Sequence, residues 1–275
     1  MRDLAGNGDA AGVTVPGMVA GAASLRGVRW VGSKGAAGVW QSIVSAMPPH
    51  AVYIEPFLGK GVVMQRKRPA ASSIGIDSDG AAPGLSLCQA VPGFIGKVAD
   101  GREFLRRYVW RGDELVYADP PYLRSVRSCP RRYYRCELLT ADEHSELLAL
   151  LKSLPCLVMI SGYWSQLYAK ELAGWRTLTI PTVNRRGKRV MEWVFMNFPA
   201  PESLHDFRHI GTNFRERERI KRKISRWQRR LLTMPAVERA ALRHALRIES
   251  SIPAMLQTVD ARQSRRGAIG KEAGL

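Results

Sequence analysis

The chain has 275 residues, enough for one large domain or a domain with an appendage, and 45% of them are apolar, so a sizeable core can be buried. Forty-two Lys and Arg oppose 24 Asp and Glu, giving a formal charge of +18 and a pI near 10.4. That balance argues against acidic small-protein classes and for a polyanionic partner, nucleic acid ahead of an anionic membrane surface. No apolar run approaches the ~18 residues that span a bilayer. The cysteines (Cys88, Cys129, Cys136, Cys156) form no CxxC pair, which argues against a structural zinc or a disulfide framework and suits a reducing cytosol.

In chain order, residues 1–25 are rich in Gly and Ala without a compact apolar core. They read as a disordered leader rather than a secretory signal, with Met18 a candidate for the true start. From residue 50 to 198 short apolar runs alternate with helical stretches. Strands are expected at 51–57 (AVYIEPF), 72–77 (SSIGID), 93–99 (GFIGKVA), 114–118 (ELVYA), 156–161 (CLVMIS), 175–181 (WRTLTIP) and 189–198 (RVMEWVFMNF). Continuous apolar runs of this length suit strands buried on both faces of a parallel sheet. Thr140-Ala141-Asp142-Glu143 is a capping box that opens a helix carrying Leu147, Leu148, Leu150, Leu151 and Leu154. Asn184-Arg185-Arg186-Gly187 is short enough to join the last two strands as an antiparallel hairpin. The expected fold class is α/β, a doubly wound Rossmann-like sheet ending in that hairpin, with a basic helical C-terminal appendage. Sheets of this kind bind ligands beyond the C-terminal ends of their strands, where strand order reverses.

A boundary is expected near residue 200, after Asn197-Phe198-Pro199-Ala200-Pro201. From Arg208 onward 17 Lys and Arg face 6 Asp and Glu, so +11 of the charge lies there and +7 in the preceding 207 residues. Residues 214–232 carry Ile220, Ile224, Trp227 and Leu231 as one apolar seam on an otherwise charged helix. Pro235 opens a second helix with Val237, Leu242, Ala245, Leu246 and Ile248 available for packing, so the pair is expected as a basic helical hairpin.

Two motifs carry chemistry. Asp119-Pro120-Pro121-Tyr122 directly follows the expected strand 114–118. Its prolines fix φ and remove two backbone donors, so the chain leaves the sheet as a stiff, acceptor-rich turn. Such a turn suits a planar exocyclic amine: the Asp119 carboxylate and the Pro120 carbonyl accept its two N–H bonds, and Tyr122 stacks on its ring. The plainer alternative is a proline-rich turn with an N-capping Asp. The second motif, Glu55-Pro56-Phe57-Leu58-Gly59-Lys60-Gly61, closes the first strand, and its glycines permit a tight turn and close approach to a ligand. The third glycine of the dinucleotide fingerprint is missing and no GxxxxGK[ST] occurs, which disfavours a P-loop. About 20 residues beyond the turn, Asp77 stands where an acid takes ribose hydroxyls, although Asp77-Ser78-Asp79-Gly80 is also good turn chemistry. Asp100 either serves the same ligand or caps the helix that follows.

Together these blocks resemble the Dam-type DNA adenine-N6 methyltransferases. Arg29-Trp30-Val31-Gly32-Ser33-Lys34 is similar to the family's W-x-G-x-K block, 55–61 to its methionine loop, and 119–122 to its catalytic DPPY. Ile160-Ser161-Gly162-Tyr163 and the 193–198 strand resemble later blocks, and 132–154 the helix after the catalytic loop, so the resemblance covers roughly residues 28–200. It implies a methyltransferase sheet over 26–200 and S-adenosylmethionine as cofactor, with S-adenosylhomocysteine as product and no metal. It further implies that Trp30 and Lys34 approach that cofactor, Lys34 pairing with its carboxylate, and that Glu55, Pro56, Phe57, Gly59 and Gly61 hold the methionine part. Asp77 takes the ribose hydroxyls, Asp100 lies near the adenine, and Asp119, Pro120, Pro121 and Tyr122 hold a target adenine flipped out of double-stranded DNA. RNA adenine-N6 and DNA cytosine-N4 methyl transfer are the nearer alternatives, and a non-catalytic nucleic-acid-binding protein on the same fold is the further one.

One departure is informative. Only 57 residues separate Gly61 from Asp119, which leaves no room for the family's recognition insert. Two basic segments remain for DNA. One follows DPPY, with Arg124, Arg127, Arg131, Arg132 and Arg135 interleaved with Tyr133 and Tyr134. The other is the 201–275 appendage, with Arg215, Arg219, Arg222, Arg226, Arg229 and Arg230, whose seam also suits a homodimer. A cytoplasmic bacterial or phage-type setting without a membrane is expected.

Overall fold

The computed structural model describes residues 34–36, 38–126, 140–184 and 187–250, with the last four of these described by backbone alone. Seven strands form one sheet: β1 (Val52–Glu55), β2 (Ser72–Asp77), β3 (Phe94–Val98), β4 (Glu114–Ala118), β5 (Leu157–Gly162), β6 (Arg176–Val183) and β7 (Arg189–Met196). Their order is β3-β2-β1-β4-β5-β7-β6. The first five pair in parallel, and β7 pairs antiparallel with both β5 and β6. Every expected strand is present, and the α/β doubly wound sheet closing in a hairpin is the observed fold.

The interior runs of β1 and β4 are buried along their whole length because helices cover both faces. Side chains alternate between those faces with a period of two. Tyr53, Leu115, Tyr117, Met159, Val194 and Met196 form one core with α1 (Val39–Val44) and α2 (Val62–Arg66). Ile54, Val116, Val158, Ile160 and Phe195 form the other with α4 (Gly101–Arg107), α5 (Ala141–Ser153) and α6 (Gln166–Glu171), while α3 (Pro83–Leu87) flanks β2. The α5 capping box is formed as expected, Thr140 Oγ1 accepting from Glu143 N at 3.1 Å and Glu143 returning to Thr140 N. Leu147, Leu148 and Leu151 then face inward from that helix. Each is worth roughly 1.5–3 kcal/mol on burial. Asn184 N donates to Lys188 O at 2.9 Å and closes the β6–β7 hairpin.

Two features of this topology position the site. The chain steps outward from β1 to β2 and β3, then returns to β4 and β5, so strand order reverses between β1 and β4. The crevice of such a sheet opens there, beyond the strand C-termini. The β6–β7 register also carries β7 past the end of β5: Gly162 pairs Trp193, and Glu192 already lies beyond it.

Past residue 200 the chain stays on the sheet domain as far as His209. His205 N donates to Met47 O at 3.0 Å and its ring stacks on His50 at 3.9 Å. Buried Asp206 accepts from Arg68 N at 2.9 Å and Arg208 Nη2 at 2.7 Å, and these partners hold its carboxyl well below the usual range despite its burial. His209 meets Trp40 edge-on at 4.6 Å. Then α7 (Phe214–Thr233) and α8 (Ala236–Ser250) leave the body. The helices are where the sequence places them, but the apolar seam expected to be the interior of a hairpin stays largely uncovered among the described residues. Ile224 and Trp227 remain 42% and 49% exposed, Val237 81%, and no α7 side chain is buried. No helix among the described residues is long and apolar enough to cross a membrane.

Candidate functional site

The two-residue period gathers the polar ends of four strands on the face that α1 covers. Tyr53 and Glu55 come from β1, Tyr117 and then Asp119 from β4, Ser161 from β5, and Glu192 from β7, in line with Val194 and Met196. Lys34, just ahead of α1, adds an ammonium. Its Nζ donates to Asp119 Oδ1 at 2.5 Å and to the Tyr122 hydroxyl at 2.6 Å, and lies 3.1 Å from Glu192 Oε1. An ammonium has three protons, and here it has three acceptors. The Tyr122 hydroxyl passes its own proton to Glu192 Oε1 at 2.7 Å, while Ser161 Oγ donates to Asp119 Oδ1 at 3.0 Å and meets Tyr117 OH at 2.9 Å. The Lys34 and Glu192 side chains are 7% and 4% exposed, but Asp119 keeps 19%, so the carboxylate is what a ligand in the crevice meets first.

Burial opposes the charge on Lys34, but Asp119 and Glu192 outweigh it and hold the ammonium well above the ordinary lysine value. Asp119 is shifted upward by burial, with Glu192 adding to that shift and Lys34 opposing it. Two carboxylates therefore share one cation.

Beside it the glycine turn builds a cradle. Gly59 and Gly61 take positive φ of 51° and 60°, which a side chain would strain. A side chain at Gly61 would also drive into Cys88 Sγ, whereas one at Gly59 would stand in open space, so the turn is packed on one side and accessible on the other. Asp77 Oδ2 accepts from Gly59 N at 2.8 Å and Oδ1 from Asp79 N at 2.9 Å. Each oxygen retains a lone pair for an outer donor. An acidic diol acceptor beside an open glycine turn is the donor set that a nucleoside with a methionine tail requires, so these residues fit the cofactor the resemblance implies. Pro56 is buried and its carbonyl packs against Gly101, which fixes the loop, while Phe57 is half-buried.

Several expectations change in place or partner. Lys34 engages Asp119 and Glu192 rather than standing open to a cofactor carboxylate, because two buried carboxylates surround it. Glu55 is buried and accepts from Tyr53 OH at 2.7 Å, and burial pushes its carboxyl up to about 8. Asp100 takes the capping alternative, accepting from Arg102 N and Glu103 N at the start of α4 and pairing with the Arg102 guanidinium. The Tyr122 ring lies against Tyr163 at 4.6 Å with its hydroxyl tied into the Lys34–Glu192 network. Pro120 is buried and Pro121 half-buried, as a stiff turn leaving the sheet requires. Arg124 starts a short 3-10 turn and is exposed. Trp30, Arg127, Arg131, Arg132, Tyr133, Tyr134 and Arg135 lie outside the described residues, as do the 1–25 leader and the end of the appendage. Glu192 and Tyr53 belong to the cluster without any motif pointing to them. The signal for Glu192 was a carboxylate at an inward position of β7.

On α7, Arg215, Arg219, Arg222, Arg226 and Arg229 are all exposed. At about 100° per residue they fall within an arc of about 80°, on the side opposite the Ile220–Leu231 seam. Arg230 sits at the margin, its guanidinium 5.5 Å from the Trp227 ring centre.

No family model and no curated protein sequence matches the chain. Among solved structures, it is similar to a SAM-dependent methyltransferase from Agrobacterium tumefaciens, at 13% identity and a TM-score of 0.37 over 57% of this chain and 58% of that one. It is similar to an rRNA methylase from Streptococcus thermophilus at 11% identity and a TM-score of 0.37, over 57% and 92% of the two chains. The 23S rRNA methyltransferase ErmE gives 12% identity and a TM-score of 0.37 over 60% and 67%. Likenesses this distant carry no information about reaction or substrate; the Agrobacterium tumefaciens protein extends well beyond the part this chain spans.

Proposed function

We propose that the protein transfers a methyl group from S-adenosylmethionine to the N6 amine of an adenine flipped out of double-stranded DNA. The observation that carries this reading is the Asp119 carboxylate, the open member of a buried cluster at the strand-order reversal, next to the Gly59–Asp77 cradle. The cofactor supplies a methyl group already activated as a sulfonium. Gly59, Gly61 and Phe57 would hold its methionine part and Asp77 its ribose.

The N6 lone pair of adenine is delocalised into the ring and is a poor nucleophile. Lys34 and Ser161 both occupy Asp119 Oδ1. An incoming amine is therefore received by Oδ2, and the Pro120 carbonyl takes its second N–H. Held between two acceptors, the nitrogen becomes more tetrahedral and directs its lone pair along one line. Positioning of this kind contributes several kcal/mol, up to roughly 7–11 for ideal alignment. The nitrogen turns cationic as its new bond to carbon forms, and its surplus proton passes to Asp119 and then to solvent. The Tyr122–Tyr163 pair offers aromatic surface to the base. Flipping costs a few kcal/mol, and a stacked base recovers ~1–3 kcal/mol. The exposed arginines of α7 supply phosphate contacts in place of a recognition insert.

Transfer of tritiated methyl groups from S-adenosylmethionine to duplex DNA, single-stranded DNA and RNA tests the reading. Label on adenine N6 of duplex DNA, lost in Asp119→Ala while cofactor binding persists, is the expected result. Label confined to RNA or to cytosine N4 overturns the substrate, and full turnover by Asp119→Ala overturns the site.

A further inference from the structure

Asp119 does not face Lys34 alone. Were it to do so, the amine would meet a carboxylate whose charge was already neutralised by an ammonium at 2.5 Å. That is a poor environment for a nitrogen that becomes cationic as it is methylated, and equally poor for an approaching sulfonium. Glu192 changes the balance. It reaches the same ammonium at 3.1 Å, accepts from Tyr122 at 2.7 Å and is buried. A buried carboxylate on a strand is costly unless it is paired, and Glu192 finds its partners in the same Lys34 and Tyr122 that contact or adjoin Asp119.

We propose that Glu192 is a positioning residue of the methyl-transfer site: it shares the charge of Lys34 with Asp119, so that Asp119 is only partly neutralised and presents negative charge to the amine. The assignment rests on the amine-methylation reading above. Lys34 in turn keeps the two carboxylates from repelling each other and fixes the Asp119 rotamer, with Ser161 as the second anchor. Methyl transfer places one positive charge on the nitrogen, and proton release to Asp119 removes it. A trio with net charge −1 favours that path, and a neutral Lys34–Asp119 pair does not. Electrostatic preorganisation of this kind is the same physics as an oxyanion hole with its signs reversed.

Glu192→Gln tests this, since it keeps the size and the acceptor for Tyr122 and removes the charge. The expected result is a fall in kcat of about 10²-fold, the size seen when one preorganised electrostatic partner is lost. KM for DNA and the affinity for uncharged-sulfur S-adenosylhomocysteine should hold. Removing a neighbouring negative charge favours the ionised form of Asp119, so the acid limb of the kcat profile should move to lower pH. In cofactor-free protein, the Asp119 carboxyl carbon should titrate at lower pH by NMR, identified by its absence in Asp119→Asn. Glu192→Asp should retain more activity than Glu192→Gln. The double variant Lys34→Met/Glu192→Gln, which restores net charge −1, should be more active than Glu192→Gln alone. Wild-type kcat and an unmoved Asp119 titration in Glu192→Gln would overturn the assignment while leaving methyl transfer intact. A wild-type protein inert on every nucleic acid would overturn the parent reading, and this one with it.

Discussion

Glu55 lies behind the glycine turn, neutral at pH 7 because burial pushes its carboxyl from an ordinary 4.5 up to about 8. The unfolded chain ionises it near 4.5, so above that pH the unfolded state is progressively favoured. Its contribution to stability is complete below about pH 4.5 and is lost as pH rises towards 8. At 1.36 kcal/mol per pKa unit the swing reaches roughly 5 kcal/mol. Glu55→Gln, neutral at every pH, should therefore lose less stability than the wild type between about pH 5 and 8, as read from urea midpoints. Equal losses would mean that Glu55 is charged in the fold. At this scale the sequence was legible where a motif concentrates unusual chemistry: Asp119, Pro120, Gly59, Gly61 and Asp77 all stand at strand ends around one crevice. It was silent on Glu192 and Tyr53, single polar residues in apolar strands, because only pairing to neighbouring strands says what such a residue faces. The capping role of Asp100 was readable, since Asp followed by a helical run is an N-cap wherever it occurs.

Among the elements, β7 and α7 each owe their consequence to side-chain phase. A one-residue shift in β7 would move Glu192 to the opposite face and swap it with Met191, which is 43% exposed. The register is held by the Val194 and Met196 core contacts and by the hairpin closed at Asn184. In α7 the arginine stripe and the apolar seam occupy opposite sides of a helix about 30 Å long. Replacing Arg222, Arg226 and Arg229 with Ala should weaken duplex binding across all sequences. It should lower the slope of log affinity against log salt by about 3, at 0.9 per phosphate contact. Thermal melting should hardly change, because these side chains are exposed. An unchanged salt slope would remove α7 from the interface.

For the whole molecule, the location of the excess charge leads to a test. Of the +18, +11 lies from Arg208 onward. Because His205, Asp206 and His209 are docked on the sheet domain, the informative cut comes after residue 210 rather than at the expected boundary near 200. A protein ending there should bind cofactor normally and lose most of its affinity for duplex DNA, measured by calorimetry and gel shift. Retained affinity would place DNA binding elsewhere. The seam, with Ile224 and Trp227 half exposed, also suits a second copy of the chain, and sedimentation of the full and shortened proteins should show a dimer only in the former. The sequence by itself determined the sheet, its hairpin, the α5 cap and the two turns at the strand ends, because these depend on local periodicity, capping and backbone restriction. Only the tertiary structure decided that Lys34 meets Asp119 across 85 positions, that Glu192 completes the trio, and that the α7 seam stays largely uncovered. Those outcomes depend on which strands become neighbours and which apolar surfaces find partners, and no local pattern encodes either.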